Sequence, residues 1–144
     1  MHPFNIKQVL LAKHAQHVVV IHFPIALFIA GAAFDWIAHL RQSAGLRTAA
    51  YYNFVVAALA APLAVGSGIL AWQLQLEGQR LHGIILMHLL LGTASAALIL
   101  FVWWIHYQSR DRAAPRFLLA LEAAGVIVIA LTGHLGGFLS GVNT

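Results

Sequence analysis

The chain has 144 residues, 61% of them hydrophobic and 8% charged, with a mean hydropathy of +0.84. A water-soluble domain carries roughly 25% charged residues, so this composition excludes that class and specifies an integral membrane protein. The absence of cysteine excludes disulfides, thiolate metal sites, iron–sulfur clusters and covalently attached c-type haem. Eight basic residues against four acidic ones give a formal charge of +4 and a pI near 10.1. The basic residues lie mostly between apolar stretches, where they act as topology signals and headgroup contacts. The expected surroundings are therefore a lipid bilayer, with no nucleic acid partner.

In chain order, Pro3 to Gln16 is expected to be a short interfacial segment, with Ile6, Val9 and Leu10 on one side and Lys7, Lys13 and His14 elsewhere. No cleavable signal peptide is expected, because the first apolar stretch is long enough to stay as a span and lacks a small-residue cleavage site. Four stretches meet the length of about 20 apolar residues that a hydrocarbon core requires: Val18–Leu40, Ala49–Leu74, Ile84–Tyr107 and Phe117–Leu139. The links Arg41–Thr48, Gln75–Gly83 and Gln108–Arg116 are short, which makes sequential helices antiparallel neighbours. The expected fold is all-α, an up-down-up-down four-helix membrane bundle forming one domain over residues 1–144.

The first span holds His22 next to Phe23-Pro24. Proline removes a backbone donor and crowds the preceding turn, so Pro24 either shapes the start of the span or aims His22 inward. Asp35 follows, with His39 one turn beyond it. The second span contains Pro62 and Gly66-Ser67-Gly68. In the third, His88 is followed by Gly92, Ser95 and Ala96 at helical spacings. The fourth carries Glu122 near its start and His134 among Gly133, Gly136 and Gly137.

Alternating helix direction brings His22, His88 and His134 to one depth, within roughly one turn of each other, and His17 and His82 to the same end. Asp35 and Glu122 fall about 18–20 Å away along the helices, near His39 and His106 at the opposite interface, where imidazoles can meet water. Those acids are expected to pair with His39, His106, Arg41 or Arg116, or to handle protons.

A bis-histidine b-type haem needs two neutral imidazoles on facing helices, with small residues beside the macrocycle. His22, His88 and His134 are the candidate ligands, with His17 and His82 in reserve. Gly68, Gly92, Gly133 and Gly136 are the candidate space for one haem or two. Copper or zinc would use the same imidazoles, and small residues equally build packing seams around structural histidines. Three functions follow. The first is a haem b cytochrome relaying electrons between an outer-face redox partner and the quinone pool, as an electron-transfer subunit ahead of a stand-alone enzyme. The others are a non-redox membrane subunit or small transporter with structural or proton-handling histidines, and an outer-face metal-binding membrane protein. No phosphate loop and no H-E-x-x-H pair is present.

At His22-Phe23-Pro24-Ile25, Asp35, His88 and Gly133-His134-Leu135-Gly136-Gly137 the chain resembles the bacterial membrane proteins of Domain of Unknown Function 2231, from His22 to Gly141. The resemblance implies four spans in the bacterial cytoplasmic (inner) membrane and assigns no reaction. Some members of that group look joined to cytochrome c-like domains, which suits a redox role. The chain has no C-x-x-C-H, so a c-type cytochrome is expected as a separate chain.

Orientation follows from lysine and arginine. The first and third links carry Arg41, Arg47, Arg110, Arg112 and Arg116, and the other side carries Lys7, Lys13 and Arg80. This bias places the odd links in the cytoplasm and both termini in the periplasm. A periplasm-active reporter is expected to work when fused after Thr144 and to fail within Arg41–Thr48. A cytoplasmic C-terminus overturns the orientation.

Overall fold

The computed structural model describes residues 13–75, 77–78, 80–110 and 115–140. It contains four helices: α1 (Lys13–Arg41), α2 (Ala44–Gln75), α3 (Gly83–Gln108) and α4 (Phe117–Leu139). Each is long and apolar enough to cross a membrane, and no strand occurs among the described residues. The expected interfacial segment lies outside the described residues over 3–12. From Lys13 onward it is the first turn of α1.

The helices pack around the bundle in chain order, α1 most closely against α2, with α4 returning to α1. The ends of the bundle differ in chemistry. One end, here the histidine end, collects His17, His82 and His134; the other, the arginine end, collects Arg41, Arg47 and Arg116. Exposed Trp36, Tyr52, Trp104 and Tyr107 gather towards the arginine end, as interfacial aromatic belts do.

The link between α1 and α2 is shorter than the sequence suggested, consisting only of Gln42 and Ser43. Gln42 takes a left-handed conformation (φ 52°) and Ser43 N–H donates to the Ala38 carbonyl. That bond reaches back over the last turn and closes α1 in a Schellman arrangement. The Ser43 hydroxyl then accepts from Leu46 N–H at 3.4 Å, so one residue ends α1 and caps α2. This double use is why α2 begins at Ala44 instead of Ala49.

Lipid removes the hydrophobic drive between helices, leaving van der Waals fit and hydrogen bonds to hold them. The fit comes from small residues. Ala50, Ala57, Ala58 and Ala61 of α2 are buried, as are Ala32 and Ala38 of α1. Into these seams fit two fully buried phenylalanines. Phe54 of α2 lies over Gly31, where an added Cβ would stand 2.9 Å from its ring. Phe28 of α1 lies over Gly125 of α4, where a Cβ would stand 2.7 Å away. The two rings meet edge-on, with centroids 5.5 Å apart. α1 runs through Pro24 without a break, and the proline ring is buried.

Among the described residues, every buried one lies within 24–61 or 95–129. The middle and the arginine end are thus closely packed, and the histidine end is more open. Gly125→Ala is expected to lower stability by about 1–3 kcal/mol through overpacking against Phe28. Phe28→Leu in the same chain should recover part of the loss, a coupling that a double-mutant thermal-denaturation cycle in detergent measures.

Candidate functional site

Two polar layers cross the interior. At the histidine end, the imidazoles of His17 on α1 and His88 on α3 lie within electrostatic reach of each other. Each is seated against a glycine of the neighbouring helix. A Cβ on Gly68 would stand 3.1 Å from the His17 ring, and one on Gly136 would stand 3.1 Å from the His88 ring. These two glycines, expected beside a macrocycle, make room for the histidines themselves.

Hydrogen-bond partners favour one tautomer of each ring. His88 Nδ1 lies 3.1 Å from the Thr132 carbonyl, an oxygen that can only accept. His17 Nδ1 lies 2.9 Å from the Ser67 hydroxyl, whose own hydrogen is donated to the Ala64 carbonyl at 2.8 Å. Both neutral rings therefore hold hydrogen on Nδ1 and carry the lone pair on Nε2. Thr132 repeats the pattern, donating to the Val128 carbonyl and accepting from Ser95 at 3.0 Å.

The other histidines of that end are placed differently. His22 is exposed and turns its Nδ1 to the Val18 carbonyl one turn back in its own helix, so the proline beside it does not aim it inward. His134 is exposed and meets Phe138 edge-on at 4.9 Å. His82 is the exposed N-cap residue of α3. Gly92 approaches only the Thr132 methyl, and Gly133 faces open space. Of the three deep histidines read from the sequence, only His88 lies against a neighbouring helix; its counterpart is His17, held in reserve.

Helical rotation explains the outcome. Thr132 and Gly136, one turn apart, both meet His88, and His134 stands two residues from each. Two residues turn the chain by about 200°, so His134 points away. His17 and His22 are five residues apart, about 140° in angle, and cannot share the inward face.

In the second layer Asp35 and Glu122 lie about 7–9 Å from the arginine-end helix termini and His106 about 3 Å from its own. Asp35 and Glu122 have no exposed surface, and His106 is 7% exposed. His106 donates through Nε2 to Glu122 Oε1 at 2.8 Å, and its ring stacks on Phe54 at 4.5 Å. One ligand atom from each of Asp35, His106 and Glu122 lies within 4.8 Å of the others. His39, 30% exposed, donates through Nδ1 to the Asp35 carbonyl at 3.1 Å and stands 3.4 Å from Asp35 Oδ2. The expected His39 and His106 partnerships of the acids are present. The expectation that His106 meets water is corrected: α3 turns it into the core, where Phe54 covers it. The sequence reading treated Asp35 and Glu122 as separate acids and did not bring them together.

No curated protein and no solved structure matches the chain. A family profile described as "Predicted membrane protein (DUF2231)" matches residues 13–142, a stretch that includes all four helices. The chain belongs to the DUF2231 family of predicted membrane proteins.

Proposed function

We propose that the chain is a membrane cytochrome that holds b-type haem between His17 and His88, and that it relays electrons between a redox partner at the histidine end and the quinone pool. One observation carries the reading. Two imidazoles from different helices, at one end of the bundle, are each held with hydrogen on Nδ1 and the lone pair on Nε2. This is the state an iron ligand requires, and a hydrogen bond at the far nitrogen both orients the ring and raises its basicity.

Haem b bound there supplies a reversible one-electron couple. The chain's own part is positional. Ser67 and the Thr132 carbonyl fix the rings, and Gly68 and Gly136 make space for them. Burial among the described residues is lower at this end than in the middle of the bundle. Copper or zinc would use the same pair of nitrogens, but two ligands fall short of the usual three or four.

The surface proposed for quinone contact is an open groove between two helices. An open apolar cleft of about 480 Å³ lies between α2 and α3, lined by Pro62, Gly66, Ile69, Thr93 and Leu100 among others. That volume is in the range of small-molecule sites, and its walls suit an isoprenoid chain. The setting proposed is the bacterial inner membrane with both termini periplasmic, and the redox partner a c-type cytochrome on a separate chain.

Purified protein from haem-replete cells is expected to be red, with a Soret band and a sharp reduced α-band. His17→Ala and His88→Ala should each abolish low-spin haem or leave it high-spin. His22→Ala, His134→Ala and Asp35→Asn should leave the spectrum unchanged. A wild-type protein without porphyrin defeats the reading, as does a spectrum indifferent to both His17 and His88.

A further inference from the structure

Three carboxylate oxygens, Asp35 Oδ1, Asp35 Oδ2 and Glu122 Oε2, are buried and lack a hydrogen-bond partner. They belong to residues with no exposed surface, in a bundle whose outside is lipid. An unpaired carboxylate in a dry interior is costly enough that it is neutralised or matched by a cation. The Nε2–H of His106 serves Glu122 Oε1, and the His39 Nδ1–H serves the Asp35 backbone carbonyl. The described arrangement thus converges acceptors on one point and gives them too few donors.

We infer that Asp35, Glu122 and His106 form a binding site for a first-row divalent cation, separate from the histidine-end pair. Two carboxylates cancel the double charge, and the imidazole adds the nitrogen that such ions favour over purely oxygen-bound Mg²⁺ or Ca²⁺. The three ligand atoms lie within 4.8 Å of one another. About 2.0–2.2 Å from each to a shared metal needs an inward movement of side chains whose ligand atoms already lie within 4.8 Å of one another.

A shared proton is the competing occupant, and it fits less well. One shared proton bridges two of these oxygens, leaves the third unpaired and cancels only one of the two negative charges, whereas a divalent cation balances both carboxylates together. The ligands come from three helices, α1, α3 and α4, so an ion there also ties α1 to α3 and α4. Half-exposed His39, one turn nearer the arginine end than Asp35, marks the side from which an ion enters. Coordination through His106 Nε2 requires the tautomer with hydrogen on Nδ1, so the hydrogen bond to Glu122 is exchanged for the bond to the metal.

The test uses the full chain, purified in detergent, freed of any affinity tag and stripped with chelator. Zn²⁺ and Mn²⁺ are the probes, followed by calorimetry. One ion per chain is expected, with affinity reduced about tenfold or more by Asp35→Asn and by Glu122→Gln, and unchanged by His17→Ala or His88→Ala. Pulsed EPR of the Mn²⁺-loaded wild-type protein, which needs no variant to fold, should show coupling to a single imidazole nitrogen. Binding that survives Asp35→Asn and Glu122→Gln, or disappears with His17→Ala, overturns the site. So does the absence of stoichiometric binding, or an Mn²⁺ signal without nitrogen coupling. The Mn²⁺ measurements do not depend on whether haem is bound, because this harder ion favours the carboxylates over a pair of imidazoles.

Discussion

The Phe54 ring is the contact on which the rest of the bundle depends. It occupies the space left by Gly31, meets Phe28 edge-on and stacks on His106. Through Gly31 it sets how near α2 comes to α1, and through Phe28 over Gly125 that spacing passes to α4. Through His106 it fixes an imidazole of α3 against the Glu122 carboxylate. In lipid, where apolar surface gains nothing by leaving its surroundings, interlocking shape of this kind is what makes one arrangement of four apolar helices better than another. A larger residue at position 31 or 125 would part the helices and open the acid cluster together with the packing.

Two chemistries are kept apart by that architecture. Towards the arginine end the interior is closely packed and encloses two carboxylates with an imidazole. Towards the histidine end the helices are less closely packed, and the interior groups are neutral imidazoles with hydroxyls and carbonyls around them. Acids near an iron would alter its potential and compete for it. Here α3 separates the layers by the distance from His88 to His106, about 27 Å along its axis. The proposed electron-transfer site and the proposed cation site therefore draw on separate ligands within one small bundle.

Composition alone determined that the chain lives in a bilayer, and segment length with short links determined four antiparallel helices. These conclusions depend on desolvation and chain geometry, which local sequence reports directly. Depth was legible for the same reason: rise per residue is nearly constant, so His17, His22, His88 and His134 were assigned to one end, and Asp35, His106 and Glu122 to the other. A further signal was present on α3 and α4. Positions 88, 92, 95, 99, 102 and 106 on α3, and 118, 122, 125, 129, 132 and 136 on α4, recur every three or four residues. The first row contains His88 and His106, and the second contains Glu122 but omits His134.

Rotation about each axis was what only the tertiary structure decided. These helices are apolar on nearly every side, so a hydrophobic stripe does not stand out, and lipid accepts almost any face. The face turned inward is chosen by fit: Phe28 over Gly125, Phe54 over Gly31, His17 over Gly68 and His88 over Gly136. Those contacts join residues far apart in the chain, and each needs the exact spacing of two helices to be favourable. They exclude His22 and His134 from the interior, admit His17, and bring Asp35, His106 and Glu122 to one point.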